Sequence, residues 1–129
     1  MVSVASQAAC HSNSIHLSPV LATRAARDVI EQSVAAVFSV PLGEMRARTR
    51  RKAEIAFARQ VAMYLAHVTC GMSLTEVGYL FGRDRTTVAH ACALIEDRRD
   101  DPRFDRMVDN LERAVARLIF ALLHFHNGR

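Results

Sequence analysis

Apolar residues recur every three or four positions along most of the chain, which is the spacing of one face of an α-helix. In segment 24–38 these positions are Ala25, Val29, Ile30, Val34, Val37 and Phe38. In segment 54–70 they are Ile55, Ala58, Val61, Ala62, Leu65 and Val68. No segment alternates apolar and polar residues as a β-strand would. The pattern predicts an all-α domain with five helices, which span 24–38, 54–70, 73–82, 84–98 and 101–126.

The connections between these helices contain the usual terminating residues. Pro41 and Gly43 are expected to end the first helix, with Leu42 and Met45 packed beneath it in a short turn. Gly71 ends the second helix. The inward-facing residues of helix 84–98 are predicted to be Val88, Ala91, Cys92 and Ile95.

Helices 73–82 and 84–98 have specific signals at their ends. Ser73 and Glu76 have the spacing of a capping box, in which each side chain bonds to the backbone of the other residue. Gly82 supplies a left-handed residue that ends the first of the two helices, and Asp84 is an N-cap for the second. Two helices joined by a tight glycine-containing turn form a helix-turn-helix, which places its second helix in the DNA major groove.

Composition favours a polyanionic partner. The chain has 129 residues, half of them apolar, and a net charge of +4, with a pI near 9.5. Lys52 is the only lysine among 17 basic residues. Arginine suits bidentate contacts with phosphate and guanine, although genome base composition produces the same bias. No window is long and apolar enough for a membrane span, so no membrane partner is expected.

The cysteines indicate a reducing compartment. Cys10, Cys70 and Cys92 are odd in number and lack the short spacing of a disulfide framework. Cys70 and Cys92 are interpreted as small core residues. Together with His90 they match no zinc pattern, so no metal site is predicted. The remaining candidate ligands lie in the terminal segments. Cys10, His11 and His16 are expected to bind metal only adventitiously, and His124 and His126 are interpreted as tail residues.

Three segments in order resemble a known family. These are 58–65 (ARQVAMYL), 73–78 (SLTEVG) and 81–91 (FGRDRTTVAHA). They closely resemble the C-terminal DNA-binding domain of the bacterial replication initiator DnaA, and the resemblance covers roughly 24–100. No G-x-x-x-x-G-K-[ST] loop is present, so no ATP site is expected. The resemblance implies a free-standing DNA-binding domain at 23–100. The residue pattern adds a flexible segment 1–22 before this domain and a helical segment 101–129 after it.

The resemblance also implies which residues contact bases. Asp84, Arg85, Thr86 and Thr87 match the positions that enter the major groove, where the family's box is TTATCCACA-like. A carboxylate can accept from the cytosine amino group, and a guanidinium can donate to guanine. Threonine methyl groups can contact the methyl group of thymine. The family usually has two glycines before the Arg-Asp pair and His after it, whereas here Gly82 stands alone and Arg85 follows. As alternatives, Asp84 serves only as a cap and Arg85 is simply exposed.

Other cations are expected to contact the DNA backbone or the minor groove. The resemblance implies that Arg51, in the basic run 46–52, enters the minor groove. Arg59 and Gln60 match phosphate-binding positions, and Arg83 also suits phosphate. His90 is placed near the groove, with a half-buried packing histidine as the alternative. The predicted DNA-binding residues are Arg48, Arg50, Arg51, Lys52, Arg59, Gln60, Arg83, Asp84, Arg85, Thr86, Thr87 and His90.

The last helix has more apolar surface than one packing face requires. An a/d seam repeats at Phe104, Val108, Leu111, Val115, Leu118, Leu122 and Phe125. Packing of this helix on helix 24–38 accounts for the seam, but not for Ile119, Phe120 and Leu123. The alternative is that residues 104–125 also form a homodimer contact or bind an initiator-related protein.

The resemblance implies a bacterial cytoplasmic, nucleoid-associated protein that binds double-stranded DNA at initiator-type boxes. It would regulate replication initiation or transcription without cofactor, metal or nucleotide. An enzyme is not expected, because no nucleophile–base pair or paired carboxylate set is visible. The alternative function is a protein-interaction factor that acts through the apolar last helix.

Overall fold

The computed structural model describes residues 19–47 and 52–127, in which every regular element is an α-helix. The helices are α1 (Pro19–Phe38), α2 (Leu42–Arg46), α3 (Ala53–Val68), α4 (Leu74–Phe81), α5 (Arg85–Arg98) and α6 (Pro102–Asn127). The predicted all-α fold with a helix-turn-helix and a long last helix is confirmed. No helix in these ranges has the length and apolar character needed to span a membrane.

The described part contains six helices rather than five, because the predicted turn after the first helix is itself helical. The carbonyl of Pro41 accepts from the N–H groups of Glu44 (3.1 Å) and Met45 (3.0 Å). Met45 is buried, as predicted. These bonds make α2 a one-turn helix whose position is fixed by an apolar side chain.

The first helix begins earlier than predicted and ends at the predicted residue. It begins at Pro19, five residues before position 24, so residues 19–22 of the predicted flexible segment 1–22 are helical, whereas residues 1–18 lie outside the described residues. It ends at Phe38 because Ser39 takes a left-handed conformation with φ 55°. The N–H of Val40 then donates to the carbonyl of Ala35 at 3.0 Å, which closes the helix end before Pro41 is reached.

The third helix lies at the centre of the core and contacts α1, α2, α4 and α5. Most of its side chains from 58 to 66 are buried. Phe57 contacts Phe38 and Phe104, with ring centroids 5.9 and 5.7 Å apart, and so joins α1 and α6 to α3. This arrangement supports the helix-turn-helix from behind and leaves its outer surface free of packing helices.

One predicted core residue of α1 is on the surface. Val37 is 49% exposed, whereas Glu31 and Ala35 are buried. The covered face of α1 is therefore turned toward Glu31 and Ala35, and Val37 falls at its edge. The apolar spacing placed Val37 on the covered face of α1, and this was wrong. Apolar spacing alone does not show that a carboxylate is buried on that face.

The buried stripe of α6 departs from the predicted seam in its second half. Val108, Leu111 and Val115 are buried, and the stripe continues through Ile119 and Leu123. A helix has 3.6 residues per turn, so a strict seven-residue seam drifts by about 20° per heptad. The covered face therefore leaves the seam. Four apolar residues remain exposed near the end of the helix: Leu118, Phe120, Leu122 and Phe125.

Candidate nucleic-acid interface

The helix-turn-helix has the predicted cap bonds. The Ser73 N–H donates to Glu76 Oε1 at 2.8 Å, and the Glu76 N–H donates to Ser73 Oγ at 3.0 Å. Gly82 has a left-handed φ of 70° and ends α4. Both features were predicted from sequence and are confirmed.

Gly78 sets the spacing between α4 and the turn. Its carbonyl accepts from the N–H of Arg83 at 2.8 Å and from the N–H of Gly82. A Cβ atom at position 78 would lie 2.5 Å from the carbonyl oxygen of Arg83. Only glycine allows this close approach of backbone to backbone. Gly78 is part of the 73–78 motif, but its close contact with the Arg83 carbonyl was not predicted.

Asp84 caps the second helix of the motif. Its carboxylate accepts from the N–H of Thr87 at 2.8 Å. This bond is the main reason that the pKa of Asp84 lies below its ordinary value of 3.8, with a smaller contribution from His90. The side chain is exposed and ionised at neutral pH. The cap predicted for Asp84 is confirmed, and a base contact by its second oxygen stays a prediction.

The first turn of α5 presents a polar surface. Arg85, Thr86 and Thr87 are exposed, and His90 lies exposed one turn later. The interpretation of His90 as a half-buried packing histidine was therefore wrong. The opposite face of α5 is fixed in the core by three fully covered residues: Val88, Ala91 and Ile95.

The two described cysteines have no ligand cluster around them. Cys70 and Cys92 are half-buried, and burial raises the pKa of the Cys92 thiol to about 11. No group of three metal-ligating side chains occurs in residues 19–47 or 52–127.

A partly buried ionic network fixes the far end of α5. Arg99 donates to Asp105 Oδ1 (2.6 Å), to the Tyr64 hydroxyl (3.0 Å) and to Glu112 Oε2 (3.3 Å). The Tyr64 hydroxyl in turn donates to Glu96 Oε2 at 3.1 Å. These bonds join α3, α5 and α6 immediately after the helix that bears the candidate base contacts. Residue spacing carries no signal for this network, because its members are separated by up to 35 residues.

A cavity of about 250 Å³ lies beside the turn of the motif. Its lining includes four arginines and one glutamate: Arg27, Arg46, Arg59, Arg83 and Glu31. Tyr79, on α4, lies at this cavity and is 90% exposed. Tyr79 was not among the predicted site residues. An aromatic residue at an outer position of α4 was the signal that could have identified it.

The structure brings Arg59 and Arg83 close together but buries Arg59. Arg59 is only 8% exposed. Its Nε and Nη2 atoms donate to carbonyls of α2 and of the residue that follows it. Burial, and then the charge of Arg83, lower the pKa of Arg59. The DNA contact predicted for Arg59 therefore requires phosphate to approach a largely buried guanidinium.

The remaining predicted phosphate-binding and minor-groove residues are only partly described. Lys52 is exposed at the N-cap of α3, and Gln60 is half-buried near the middle of the same helix. Arg48, Arg50 and Arg51 lie outside the described residues. Their DNA contacts stay predictions.

Comparison with known proteins gives one family. Residues 27–95 match the family model described as "Bacterial dnaA protein helix-turn-helix". This match includes the caps, the turn, the exposed first turn of α5 and the cavity. It also extends back into α1, so the matched unit is larger than the two helices of the motif.

Similar proteins are named chromosomal replication initiator protein DnaA. The relative from Thermoanaerobacter sp. (strain X514) is 35% identical over 88 residues, which are 67% of this chain and 20% of the relative. DnaA 1 of Protochlamydia amoebophila is 37% identical over 100 residues, covering 67% and 22% respectively. The Treponema denticola relative is 34% identical over 90 residues, covering 68% and 19%. The chain thus spans about a fifth of the length of these relatives.

Proposed function

Because the family match covers more than half of its length, the chain belongs to the bacterial DnaA helix-turn-helix family, and we propose that it binds double-stranded DNA sequence-specifically. The proposed targets are initiator-type boxes similar to TTATCCACA. Binding there would regulate replication initiation, transcription of nearby genes, or both, in the bacterial cytoplasm at the nucleoid. We assign the protein no catalytic step.

The observation that carries this proposal is the exposed first turn of α5. Arg85, Thr86 and Thr87 are three successive exposed side chains on a helix whose other face is fully packed. A rigid helix with a polar first turn fits the major groove, where its N-terminal residues contact base edges. Arg85 suits guanine O6 and N7, and the threonine methyl groups suit the C5-methyl group of thymine. His90 would contact the same groove one turn later.

Arg85 has a further reason to bind an anion or an electron-rich base edge. A cation in the first turn opposes the helix macrodipole by roughly 0.3–1 kcal/mol. The neighbouring Asp84 carboxylate is already bonded to the N–H of Thr87. A DNA phosphate or a guanine beside Arg85 would offset this unfavourable term.

The cavity beside the turn supports a phosphate contact by Arg83 and Arg59. The two guanidinium groups are close enough for the charge of Arg83 to lower the pKa of Arg59. A phosphate next to the pair would relieve their repulsion. Lys52 at the N-cap of α3 and Gln60 near the middle of that helix are proposed to contact the same strand, because phosphate contacts set the orientation of a protein on the duplex.

We assign minor-groove binding to the basic run between α2 and α3. It comprises Arg48, Arg50, Arg51 and Lys52, with Arg51 at the position that enters the groove. An arginine in a narrow minor groove responds to its width and negative potential. Arg51→Ala should therefore weaken binding and reduce preference at that end of the box.

The test is fluorescence-anisotropy binding to a duplex with one box and to its scrambled form, over a salt series. We expect preference for the box to persist at physiological salt. Thr87→Ala should reduce discrimination by up to roughly 1–3 kcal/mol. Arg85→Ala should weaken binding to the box, and Arg106→Ala, at an exposed arginine of α6, is its matched control. Equal binding to the two duplexes would contradict sequence-specific recognition.

Exposed apolar residues on α6 favour self-association as a second candidate function. Leu118, Leu122 and Phe125 are 49%, 44% and 82% exposed. Their i, i+4, i+7 spacing forms a ridge that suits a helix of a second copy. Because apolar contacts do not release counterions, this association should depend little on salt, unlike DNA binding.

Sedimentation velocity tests this second candidate. Self-association predicts a sedimentation coefficient that rises with protein concentration and that Leu122→Gln returns to the monomer value. Leu94→Gln is the control, since Leu94 is an exposed leucine of α5. A concentration-independent monomer up to high micromolar levels would exclude the self-contact.

A further inference from the structure

Tyr79 stands apart from the other apolar residues of α4. Its side chain is 90% exposed. The other apolar side chains of this helix are buried or pack against the core: Leu74, Val77, Leu80 and Phe81. A ring placed like that of Tyr79 contributes little to the core and is available to a molecule outside the chain.

The turn of the motif fixes where Tyr79 lies relative to Arg83. The carbonyl of Gly78, the residue before Tyr79, accepts from the N–H of Arg83 at 2.8 Å. The two backbones are so close that a Cβ atom on Gly78 would lie 2.5 Å from the Arg83 carbonyl oxygen. Tyr79 and Arg83 therefore extend from adjoining backbones, and both line the cavity that Arg59 also lines.

The lining of this cavity carries an excess of positive charge. Glu31 is the acid among the described lining residues. Its carboxylate is compensated, because it accepts from Arg27 Nε at 3.3 Å and from Arg46 Nε at 2.6 Å. Arg59 and Arg83 add two further cations to the lining. An anion that enters beside Tyr79 is therefore attracted rather than repelled.

A tyrosine in this position has the chemistry of a phosphate contact. The phenol O–H donates a hydrogen bond, and tyrosine is among the side chains that bind DNA phosphate oxygens. The first helix of a helix-turn-helix crosses the DNA backbone, whereas the second enters the major groove. Because α4 is the first of the two helices, an exposed side chain on it is placed to meet phosphate and deoxyribose, not base edges.

We propose that Tyr79 is a DNA-backbone contact, whose hydroxyl donates to the same phosphate as Arg83 and whose ring packs on the adjoining deoxyribose. This inference rests on the proposed function. It extends the phosphate contact from the turn onto α4. Because phosphate contacts carry no sequence information, Tyr79 should set the affinity for DNA without setting the preference for the box.

The experiment compares Tyr79→Phe with Tyr64→Phe in anisotropy titrations of the box duplex and its scrambled form. Tyr64 is the matched control, because it is the only other tyrosine, is 2% exposed and donates to Glu96 within the fold. Tyr79→Phe should weaken binding to both duplexes by roughly three- to tenfold, the net effect of one hydrogen bond. Tyr64→Phe should leave both affinities unchanged.

Salt dependence separates a direct contact from an effect through Arg83. A phenol is uncharged and releases no counterion, so Tyr79→Phe should leave the slope of log K against log salt unchanged. Arg83→Ala should reduce that slope by about 1. A reduced slope for Tyr79→Phe would overturn the direct contact, because the variant would then have displaced a cation.

Three other results would also overturn the inference. Tyr79→Phe could bind as tightly as the wild type, which would exclude the hydroxyl contact. Its loss of affinity could be confined to the box duplex, which would indicate a base contact. Equal weakening by Tyr64→Phe would show that the loss does not arise at the exposed surface of α4.

Urea denaturation separates binding from folding. Tyr79→Phe should unfold at the same urea concentration as the wild type, because its side chain is exposed, whereas Tyr64→Phe should unfold earlier. A wild type that binds neither duplex would remove the proposed function and this inference together. A wild type that prefers the box, beside a Tyr79→Phe variant that binds equally tightly, would remove only the inference.

Discussion

The helix-turn-helix and the clasp formed by Glu31, Arg46 and Arg59 stabilise two neighbouring parts of the proposed DNA-binding surface by different means. In the helix-turn-helix, the deciding bonds join residues three to five positions apart, from Ser73 to Thr87. In the clasp they join residues 12 to 15 positions apart on three helices. The first part can form from its own segment. The second exists only when α1, α2 and α3 have packed together.

The comparison has a thermodynamic consequence. Cap bonds satisfy exposed backbone groups that water would otherwise satisfy, so each contributes little. The clasp contains buried charges, and removing one partner leaves the other without compensation in a covered site. Substitutions in the clasp should therefore be the more destabilising, even though the helix-turn-helix carries the proposed base contacts.

Arg59→Leu should have the largest effect, because it removes the guanidinium that donates to three carbonyl groups at the end of α2. Hydrogen bonds to charged groups contribute about 1.5–3 kcal/mol each, so a loss of about 3 kcal/mol or more in the free energy of unfolding is expected. Urea denaturation measures it. Arg106→Leu, at an exposed arginine of α6, is the control. A change below about 1 kcal/mol would show that water replaces the guanidinium.

Gly78→Ala should be the most damaging change within the helix-turn-helix. The new Cβ would meet the Arg83 carbonyl at 2.5 Å, and overpacking of this kind costs about 1–3 kcal/mol. Gly43→Ala is the matched control, because nothing lies within 4 Å of a Cβ there. That control should be neutral or more stable, since alanine favours helix. Equal stability of the two variants would show that the turn can shift without loss.

Ser73→Ala should have a smaller effect, since it removes one cap bond at the start of α4. Loss of an N-cap costs about 1 kcal/mol. The effect should be non-additive with Glu76→Ala, because the two residues form one capping box. Chemical denaturation of both single variants and the double variant measures this coupling. Strict additivity would mean that the two bonds act independently.

A pH series extends the comparison to the far end of α5. Burial is the main cause that raises the pKa of Tyr64 from 10.0 to about 12. The protonated phenol is therefore favoured in the folded state. Its stabilisation is complete below pH 10 and is lost as the pH rises from 10 to 12. Urea midpoints in this range should fall less steeply for Tyr64→Phe than for the wild type.

Cys92→Ala removes a second group that makes the free energy of unfolding depend on alkaline pH. Burial raises the pKa of this thiol from 9.0 to about 11, so its contribution is complete below pH 9 and is lost between pH 9 and 11. The two variants should therefore change different parts of the alkaline range. Profiles that parallel the wild type across the whole range would contradict both assignments.

The contrast between the two parts also explains which features were predictable from sequence. The Ser73 box, Gly82 and the Asp84 cap depend on residue types at short fixed spacings, which a single sequence displays. The partners of Glu31, Arg59 and Arg99 are chosen by the packing of distant helices, and residue spacing contains no record of that choice. Which apolar residues of α1 and α6 stay exposed could not be predicted for a related reason, since periodicity predicts a helical face but not where its partner stops.

The separation between the exposed first turn of α5 and its buried support has an evolutionary consequence. Surface substitutions away from caps and packing usually change stability by less than about 0.5 kcal/mol. Arg85, Thr86 and His90 are exposed, whereas Val88, Ala91 and Ile95 maintain the helix. The proposed base-contacting residues can therefore diverge while the fold persists. A lineage carrying this domain has a way to acquire new target sites through single substitutions, without passing through unfolded intermediates.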